Sequence, residues 1–152
     1  MKKSCGLNFK SALTLFAFIF MFSFMVPSAF SGDKAKLGAL IPMTGGLQAY
    51  GESCLTGIKL AVEQVNKDGG VLGSELIIRV GDTNTNPQVG IDAAQKLVSI
   101  ENVFGIVGAL SSGVTIPVAQ SVASNAKTPQ ISPASTSPVI KDLDDKDCLF
   151  RS

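Results

Sequence analysis

Hydrophobic residues along this chain follow two spacings, one typical of strands and one typical of helices. Four short runs rich in β-branched residues, each bounded by Gly, Pro, Asn or Asp, predict strands. They are KLGALI (36–41), ELIIRV (75–80), VFGIV (103–107) and TPQIS (128–132). Between these runs apolar residues recur every three to four positions, which predicts one helix after each of the first three strands.

Local signals also place the ends of these helices. The first predicted helix runs from Glu52 to the DGG sequence at 68–70, where glycine ends it. The Asn-Pro pair at 86–87 predicts the N-cap and first position of the second helix. The third helix is predicted from Ser111 onward, and Pro117 is compatible with it only within the first turn.

Alternation of strands and helices at this spacing predicts an α/β fold, a doubly wound parallel sheet with helices on both faces. In the common strand order 2-1-3-4-5, the winding reverses between strands one and three, and ligands bind beyond the carboxyl ends of those strands. The loops at 42–51 and 108–113 would then form two walls of one crevice. A third loop, SPASTSP at 132–138, reaches the same edge of the sheet.

The N-terminus predicts export. Three lysines precede the apolar block at 12–26, and small residues follow it at Ala29 and Ser31. This pattern is typical of a secretory signal peptide cleaved after Ser31, and the apolar block is shorter than the roughly 20 residues that cross a bilayer. We therefore expect a signal peptide at 1–31, a mature domain at 32–152 and a periplasmic location.

Charge excludes one class of partner. Of the 13 basic residues three lie in the leader, which leaves 10 against 12 acidic residues and a net charge of −2. Because the mature chain is slightly acidic and has no cluster of Lys or Arg, nucleic acid is not an expected partner.

Catalysis is not expected either. The chain has no His, which removes histidine-based triads and most general bases at neutral pH. Gly46 and Gly51 resemble a phosphate loop, but Glu52 stands where that loop needs lysine, and a carboxylate there repels phosphate. The acidic run at 142–147 is typical of a solvated loop, with weak calcium binding as the alternative. We predict no enzyme, no cofactor and no metal site.

Ser111 and Ser112 are the first binding candidates. They stand at a predicted helix start, where free backbone N–H groups favour a small anion such as a carboxylate. A serine that merely caps the helix is the alternative. Because the pair faces the predicted crevice, the sequence favours binding.

The order of these segments resembles one family. The sequences GALIPMTGGLQAYGES, GDTNTNPQVGIDAAQKLV, FGIVGALSSGVT, PQISPASTSPVI and LFRS, taken together, are similar to the first lobe of periplasmic branched-chain amino acid binding proteins of ABC transporters. These are type I solute-binding proteins, a fold that also serves amide sensors and receptor ectodomains. The resemblance implies a monomer that captures an amino acid or small carboxylate for an inner-membrane ABC permease, with a ligand-sensing ectodomain as the alternative.

The resemblance also implies roles for single residues. Ser112, with Ser111 beside it, falls on the serine that bonds the ligand α-carboxylate. The carbonyl of Ala134 falls on the acceptor for the ligand ammonium, and the hydroxyl of Thr136 on a contact to the head group. Tyr50 falls on an aromatic residue that covers the ligand, although a tyrosine capping the core is the alternative.

Two features depart from the family pattern. Its disulfide would join the positions of Thr85 and Ser111, whereas this chain has cysteines at 54 and 148, and pairing of Cys54 with Cys148 and free thiols both stay open. Family members also have two lobes that clamp the ligand, and this chain ends where the first crossover should begin. We therefore expect an N-terminal fragment whose second lobe is missing and which binds weakly alone.

Overall fold

The computed structural model describes residues 34–152. The predicted signal peptide lies outside the described residues. Five strands and four helices follow one another along this part of the chain. They are β1 (Ala35–Ile41), α1 (Gln48–Lys67), β2 (Leu76–Asp82), α2 (Pro87–Ser99), β3 (Gly105–Gly108), α3 (Ser112–Val118), α4 (Ser124–Ala126), β4 (Gln130–Ser132) and β5 (Leu149–Arg151), with a π-helical turn at Ala119–Ala123 and a 3₁₀ turn at Pro138–Asp142.

The strands form one parallel sheet in the order β2-β1-β3-β4-β5. The predicted fold class and the predicted winding are therefore confirmed. The order reverses between β1 and β3, so the loops that follow these two strands lie side by side at the same edge of the sheet. No helix within 34–152 is both long and apolar enough to cross a membrane.

Helix α1 begins at Gln48, four residues before the predicted start at Glu52. Its N-cap is Leu47, which offers no side-chain oxygen, so the capping signal that a sequence search relies on is absent. The earlier start places Tyr50 in the first helical turn and not in the preceding loop. Helix α2 begins as predicted, because the Asn86 side chain accepts from the backbone N–H groups of Gln88 and Val89.

Pro117 lies in the second turn of α3, and the prediction that it must sit in the first turn is wrong. Proline has no N–H group, so the carbonyl of Gly113 receives no bond from position 117. The helical path nevertheless continues through the π-helical turn to α4. Changes of helical winding of this kind accompany interruptions of the regular hydrogen-bond ladder.

The core lies between the sheet and the pair formed by α2 and α3. Leu40 and Ile106 point from the sheet toward Leu97, Val114 and Val118, and all five side chains are buried. Each such side chain contributes about 1.5 to 3 kcal/mol through burial. This core fixes the carboxyl ends of β1 and β3, from which the site loops emerge.

The opposite face of the sheet is only partly covered. Helix α1 packs against β1 and β2, and beside it runs an open apolar groove of about 420 Å³. Leu37 and Val107 form its floor on the sheet, and Ile58 and Val62 line its helical side.

Candidate ligand-binding site

The candidate site lies at the carboxyl ends of β1, β3 and β4. The loop at 42–47 leaves β1, the loop at 109–111 leaves β3, and the loop at 133–137 leaves β4. Because β1 and β3 are neighbours in the sheet, the topology brings these loops to one edge. This is the edge at which open α/β sheets bind ligands.

Ser112 and Thr136 are in direct contact. The backbone N–H of Thr136 donates to Ser112 Oγ over 3.1 Å, and that of Ser137 donates to the same oxygen over 3.2 Å. A serine hydroxyl has two acceptor positions and one proton. Since both acceptor positions are used by the loop after β4, the proton of Ser112 is the part left for another group, and that group must accept it.

Ser111 is the N-cap residue of α3 but does not use its hydroxyl for capping. Its backbone carbonyl accepts from the N–H groups of Val114 and Thr115, each over 2.9 Å. The side chain is half-buried and makes no capping hydrogen bond. The interpretation of Ser111 as a side-chain cap is therefore wrong, whereas the role of the serine pair in binding stays a prediction.

The loop after β4 is anchored by buried hydroxyl groups. Ser132 Oγ lies 2.6 Å from the carbonyl oxygen of Ala109 and accepts from the N–H of Ser135 over 3.1 Å. Ser135 Oγ donates to Thr115 Oγ1 over 2.8 Å, and Thr115 Oγ1 donates to the same Ala109 carbonyl over 3.0 Å. Hydrogen bonds of this kind satisfy polar groups that would be costly to bury alone.

Residues of the SPASTSP sequence therefore divide between two tasks. Ser132 and Ser135 are buried and fix the loop, whereas Ala134 and Thr136 are exposed at the site. Ala134 and Thr136 were predicted as site residues from the sequence, whereas Ser132 and Ser135 were not. The three-residue spacing of Ser132 and Ser135, which brings both to the buried side of this turn, was the available signal.

Tyr50 extends into solvent from the first turn of α1. Its side chain is 65% exposed, so within the described residues it does not cap a core. No hydrogen bond in residues 34–152 joins Tyr50 to Ser112 or Thr136. The structure places Tyr50 at the edge that carries the site, but its contact with a ligand stays a prediction.

Asp82, at the end of β2, binds the loop that leads to Tyr50. Its Oδ1 accepts from the N–H groups of Met43 and Asn84, both over 2.8 Å, and its Oδ2 accepts from Thr44 Oγ1 over 2.6 Å. Burial acts to raise the pKa of Asp82, but the hydrogen bonds, led by that of Thr44, outweigh it and hold the pKa below its ordinary value of 3.8. Asp82 was not among the predicted site residues, although its place two residues after the predicted strand at 75–80 was a visible signal.

Two glycines give the first loop its shape. A side chain at Gly51 would collide with the carbonyl of Pro42, because the first turn of α1 packs closely on the end of β1. Gly45 has a φ of +83° and lies against the backbone of Asn84. Gly46, which completes the resemblance to a phosphate loop, has open space around it. Gly45 and Gly51 are therefore needed where two segments of backbone approach each other closely.

Cys54 and Cys148 are both free, so the structure does not contain the bridge that the sequence left open. Helix α1, which carries Cys54, packs on β1 and β2, whereas Cys148 precedes β5 at the far edge of the sheet and its carbonyl accepts from Gln130 N.

One carboxylate of the acidic run before β5, that of Asp145, forms hydrogen bonds to the backbone. Asp145 Oδ2 accepts from the N–H of Leu149 over 2.6 Å, and Asp145 Oδ1 accepts from the N–H of Asp147 over 3.2 Å. In the part of the chain from 34 to 152, no three His, Cys, Asp or Glu residues are grouped to hold a metal ion. The carboxylate of Asp145 therefore fixes the turn into β5.

Comparison with known proteins identifies the family. A model of the family described as periplasmic binding protein matches residues 34–150. The chain belongs to this family, whose members are solute-binding proteins that work with ABC transporters.

Relatives in this family bind branched-chain amino acids, according to their names. A Leu/Ile/Val-binding protein of Rhizobium johnstonii is 35% identical over 102 residues, which are 67% of this chain and 27% of the relative. A Leu/Ile/Val-binding protein homolog of Brucella abortus is 36% identical over 113 residues, which are 72% of this chain and 30% of the relative. The resemblance seen in the sequence is confirmed.

Solved structures share the fold. The branched-chain amino acid transporter substrate-binding protein of Streptococcus pneumoniae, in complex with isoleucine, has a TM-score of 0.72 and 28% identity over 78% of this chain and 33% of its own. A solute-binding protein of Rhodopseudomonas palustris, in complex with 3,4-dihydroxybenzoic acid, has a TM-score of 0.70 and 26% identity over 79% and 32%. The chain thus spans about a third of the length of these proteins.

Proposed function

We propose that this chain forms the first lobe of an extracytoplasmic solute-binding protein that captures an amino acid for uptake through an inner-membrane ABC permease. The observation that carries the proposal is the hydrogen bonding of Ser112. Because its oxygen accepts two backbone N–H groups, its proton is directed to an acceptor, and a ligand carboxylate supplies one.

Four further residues complete the proposed site. The exposed carbonyl of Ala134 is the acceptor for the ligand ammonium, and the exposed hydroxyl of Thr136 binds the same head group. Tyr50 covers the ligand from the side of β1, and Ser111 supports Ser112 at the start of α3. The contact between Ser112 and the loop after β4 supports this set, because it holds the carboxylate donor beside the ammonium acceptor.

The proposal also covers the export, the cellular location and the oligomeric state of the protein. The leader at 1–31 is cleaved after Ser31, and the domain from 32 onward acts in the periplasm as a monomer. It binds no nucleic acid and catalyses no reaction. Membership of the periplasmic binding protein family supports the periplasmic location and the absence of catalysis, and the residue pattern of the leader supports its cleavage.

An aromatic acid is the second candidate ligand, because the relative from Rhodopseudomonas palustris was solved with 3,4-dihydroxybenzoic acid. Both classes carry a carboxylate that Ser112 could bind. An amino acid also carries an ammonium group, which needs an acceptor such as the Ala134 carbonyl. The two classes are therefore separated by the contribution of the ammonium group to binding.

A thermal-shift experiment tests the proposal. The mature chain is heated with L-leucine, L-isoleucine, 4-methylpentanoate, which is leucine without its ammonium group, and 3,4-dihydroxybenzoate, each up to its solubility limit, because one lobe alone is expected to bind weakly. A ligand at 100 times its Kd adds about 2.7 kcal/mol of stability, a shift of several degrees for a domain of this size. We expect stabilisation by the two amino acids and little by 4-methylpentanoate.

The controls decide between the outcomes. Ser112→Ala should abolish the shift, and Ser121→Ala, an exposed serine on the π-helical turn, should retain it. Stabilisation by dihydroxybenzoate alone would replace the amino acid with an aromatic acid. If neither class stabilises the protein, the proposed function is wrong.

A further inference from the structure

The loop after β1 is hydrogen-bonded to Asp82, the last residue of β2, and to the loop that follows β2. Besides the bonds from Met43 and Asn84, Thr44 gives the carboxylate of Asp82 both its hydroxyl, at 2.6 Å, and its N–H, at 3.2 Å. Hydrogen bonds to a charged acceptor are roughly twice as strong as neutral ones. One carboxylate therefore links two loops that are 38 residues apart in the sequence.

Thr85 makes a second link between the same loops. Its Oγ1 accepts from the backbone N–H of Leu47 over 3.1 Å. Thr85 has a φ of +52°, which is unfavourable for a β-branched residue, and Asn84 beside it has a φ of +46°. Backbone strain of this kind is kept only where surrounding contacts hold it, and it is concentrated at functional sites.

Both links lead to Tyr50. Leu47 is the N-cap of α1, and the N–H of Tyr50 donates to the Leu47 carbonyl over 3.1 Å. Thr85 therefore holds the residue from which the first turn of α1 begins. Asp82 holds Thr44, which lies three residues before Leu47. The aromatic side chain has little packing of its own, since it is 65% exposed, so its position depends on the backbone beneath it.

We propose that Asp82 and Thr85 are positioning residues for ligand capture, which hold the loop at 43–47 and thereby place Tyr50 over the ligand. The inference rests on the proposed function, because it assigns Tyr50 a ligand contact. Neither residue is among those for which binding was predicted, and neither needs to touch the ligand. Each acts through the backbone of the first loop.

Charged residues lie near Asp82 on two sides. Arg79, Lys96 and Glu101 line the pocket that Asp82 also borders, and Arg79 Nε pairs with Glu101 at 3.0 Å. On the first loop and α1, Glu52 is the nearest charged residue in sequence.

Tyr50 itself reports on the loop. It is the only tyrosine in the sequence, which has no tryptophan, so tyrosine fluorescence anisotropy measures the order of this one side chain without any ligand. Asp82→Asn and Thr85→Ala should lower the anisotropy at neutral pH. Thr85→Ser keeps the hydroxyl and should restore it, and Asp144→Asn, an exposed carboxylate before β5, should leave it unchanged.

Ligand binding gives the second measurement. With L-leucine as the probe, Asp82→Asn and Thr85→Ala should weaken binding by about tenfold, the equivalent of one charge-assisted hydrogen bond, and Thr85→Ser should bind as the parent does. Unchanged anisotropy in both variants would overturn the proposal. Wild-type affinity in variants with reduced anisotropy would overturn it as well.

An NMR titration of the unmodified protein covers the case in which a variant fails to fold. The amide protons of Met43, Thr44 and Asn84 should shift together with one midpoint below pH 3.8. Separate midpoints would show that Asp82 does not hold this loop. If the wild-type protein does not bind L-leucine, the proposed function fails, while the anisotropy and the amide titration still decide whether Asp82 and Thr85 order Tyr50.

Discussion

The backbone N–H of Thr136 lies 3.1 Å from Ser112 Oγ, so the start of α3 and the loop after β4 are joined by the side chain that is proposed to bind the ligand. We therefore assign the same hydroxyl a structural role and a proposed role in binding. Its acceptor positions hold the loop, and its proton is the part that we propose for the ligand. Replacement of Ser112 should therefore lower the free energy of unfolding even without ligand.

Ser112→Ala should destabilise the protein more than Ser111→Ala. The first change leaves the N–H groups of Thr136 and Ser137 without their acceptor, at a cost of about 1 to 2 kcal/mol. The second removes a hydroxyl that makes no capping bond and should cost less than about 0.5 kcal/mol. Urea unfolding of both variants without ligand measures the difference. Equal losses would contradict the assigned hydrogen bonds.

Thr115→Val should destabilise the protein by about 1 to 3 kcal/mol, because valine keeps the shape of threonine but removes the acceptor of Ser135 Oγ at 2.8 Å and the donor to the Ala109 carbonyl, both in the core. Thr56→Val is the matched control on the exposed side of α1 and should change stability by less than about 0.5 kcal/mol. Chemical denaturation provides the measurement. A loss in Thr56→Val as large as in Thr115→Val would argue against the buried network.

Stability should depend on pH through Asp82. Because hydrogen bonds hold its folded pKa below 3.8, its ionised form favours the folded state. This contribution is complete above the unfolded pKa of about 3.9 and is lost as pH falls through the folded pKa. The difference in unfolding free energy between the parent and Asp82→Asn should therefore be larger at pH 6 than at pH 3. Asp144→Asn is the control, and a difference that stays constant between the two pH values would contradict the prediction.

Two glycines of α1 should respond in opposite directions to alanine. Gly51→Ala places a methyl group against the Pro42 carbonyl, which forces the first helical turn away from β1 and should cost about 1 to 3 kcal/mol. Gly57→Ala meets open space in the middle of the helix and should stabilise by about 0.5 to 1 kcal/mol. Urea unfolding compares them, and stabilisation in both variants would show that α1 does not pack on β1 as described.

The two cysteines after the leader should both react as thiols. Under denaturing, non-reducing conditions the mature protein should consume two equivalents of a thiol reagent, because Cys54 and Cys148 are free. In the folded protein Cys54 should react before the buried Cys148. Complete absence of reaction would show that the bridge forms despite the separation across the sheet.

Much of the fold could be predicted from local signals. Asn86 followed by Pro87 placed the start of α2 correctly, because a cap is formed by atoms only two or three residues apart. The start of α1 was missed, because Leu47 carries no capping side chain and packing of Gly51 on Pro42 sets the boundary. Strand β5 was not predicted as a strand, since its three residues carry no alternation that identifies them without their partner β4.

The candidate site was predicted only in part for a similar reason. The sequence located Ser112, Ala134 and Thr136 on loops at one edge, and the structure confirmed that the edge exists. It could not show that Ser132 and Ser135 turn inward or that Asp82 binds Thr44, because each of these contacts depends on how distant loops meet.

The sequence by itself determined the family, the order of the first four strands and the helices between them, and the edge of the sheet that carries the site. The family follows from the resemblance of the collinear motifs, whereas the elements and the edge follow from periodicity, caps and connection lengths, which act over a few residues. The tertiary structure alone decided which hydroxyls hold the loops and which stay free for a ligand. That division depends on hydrogen bonds between residues 20 to 40 positions apart, whose partners are chosen by the packing of the sheet and not by the local chain.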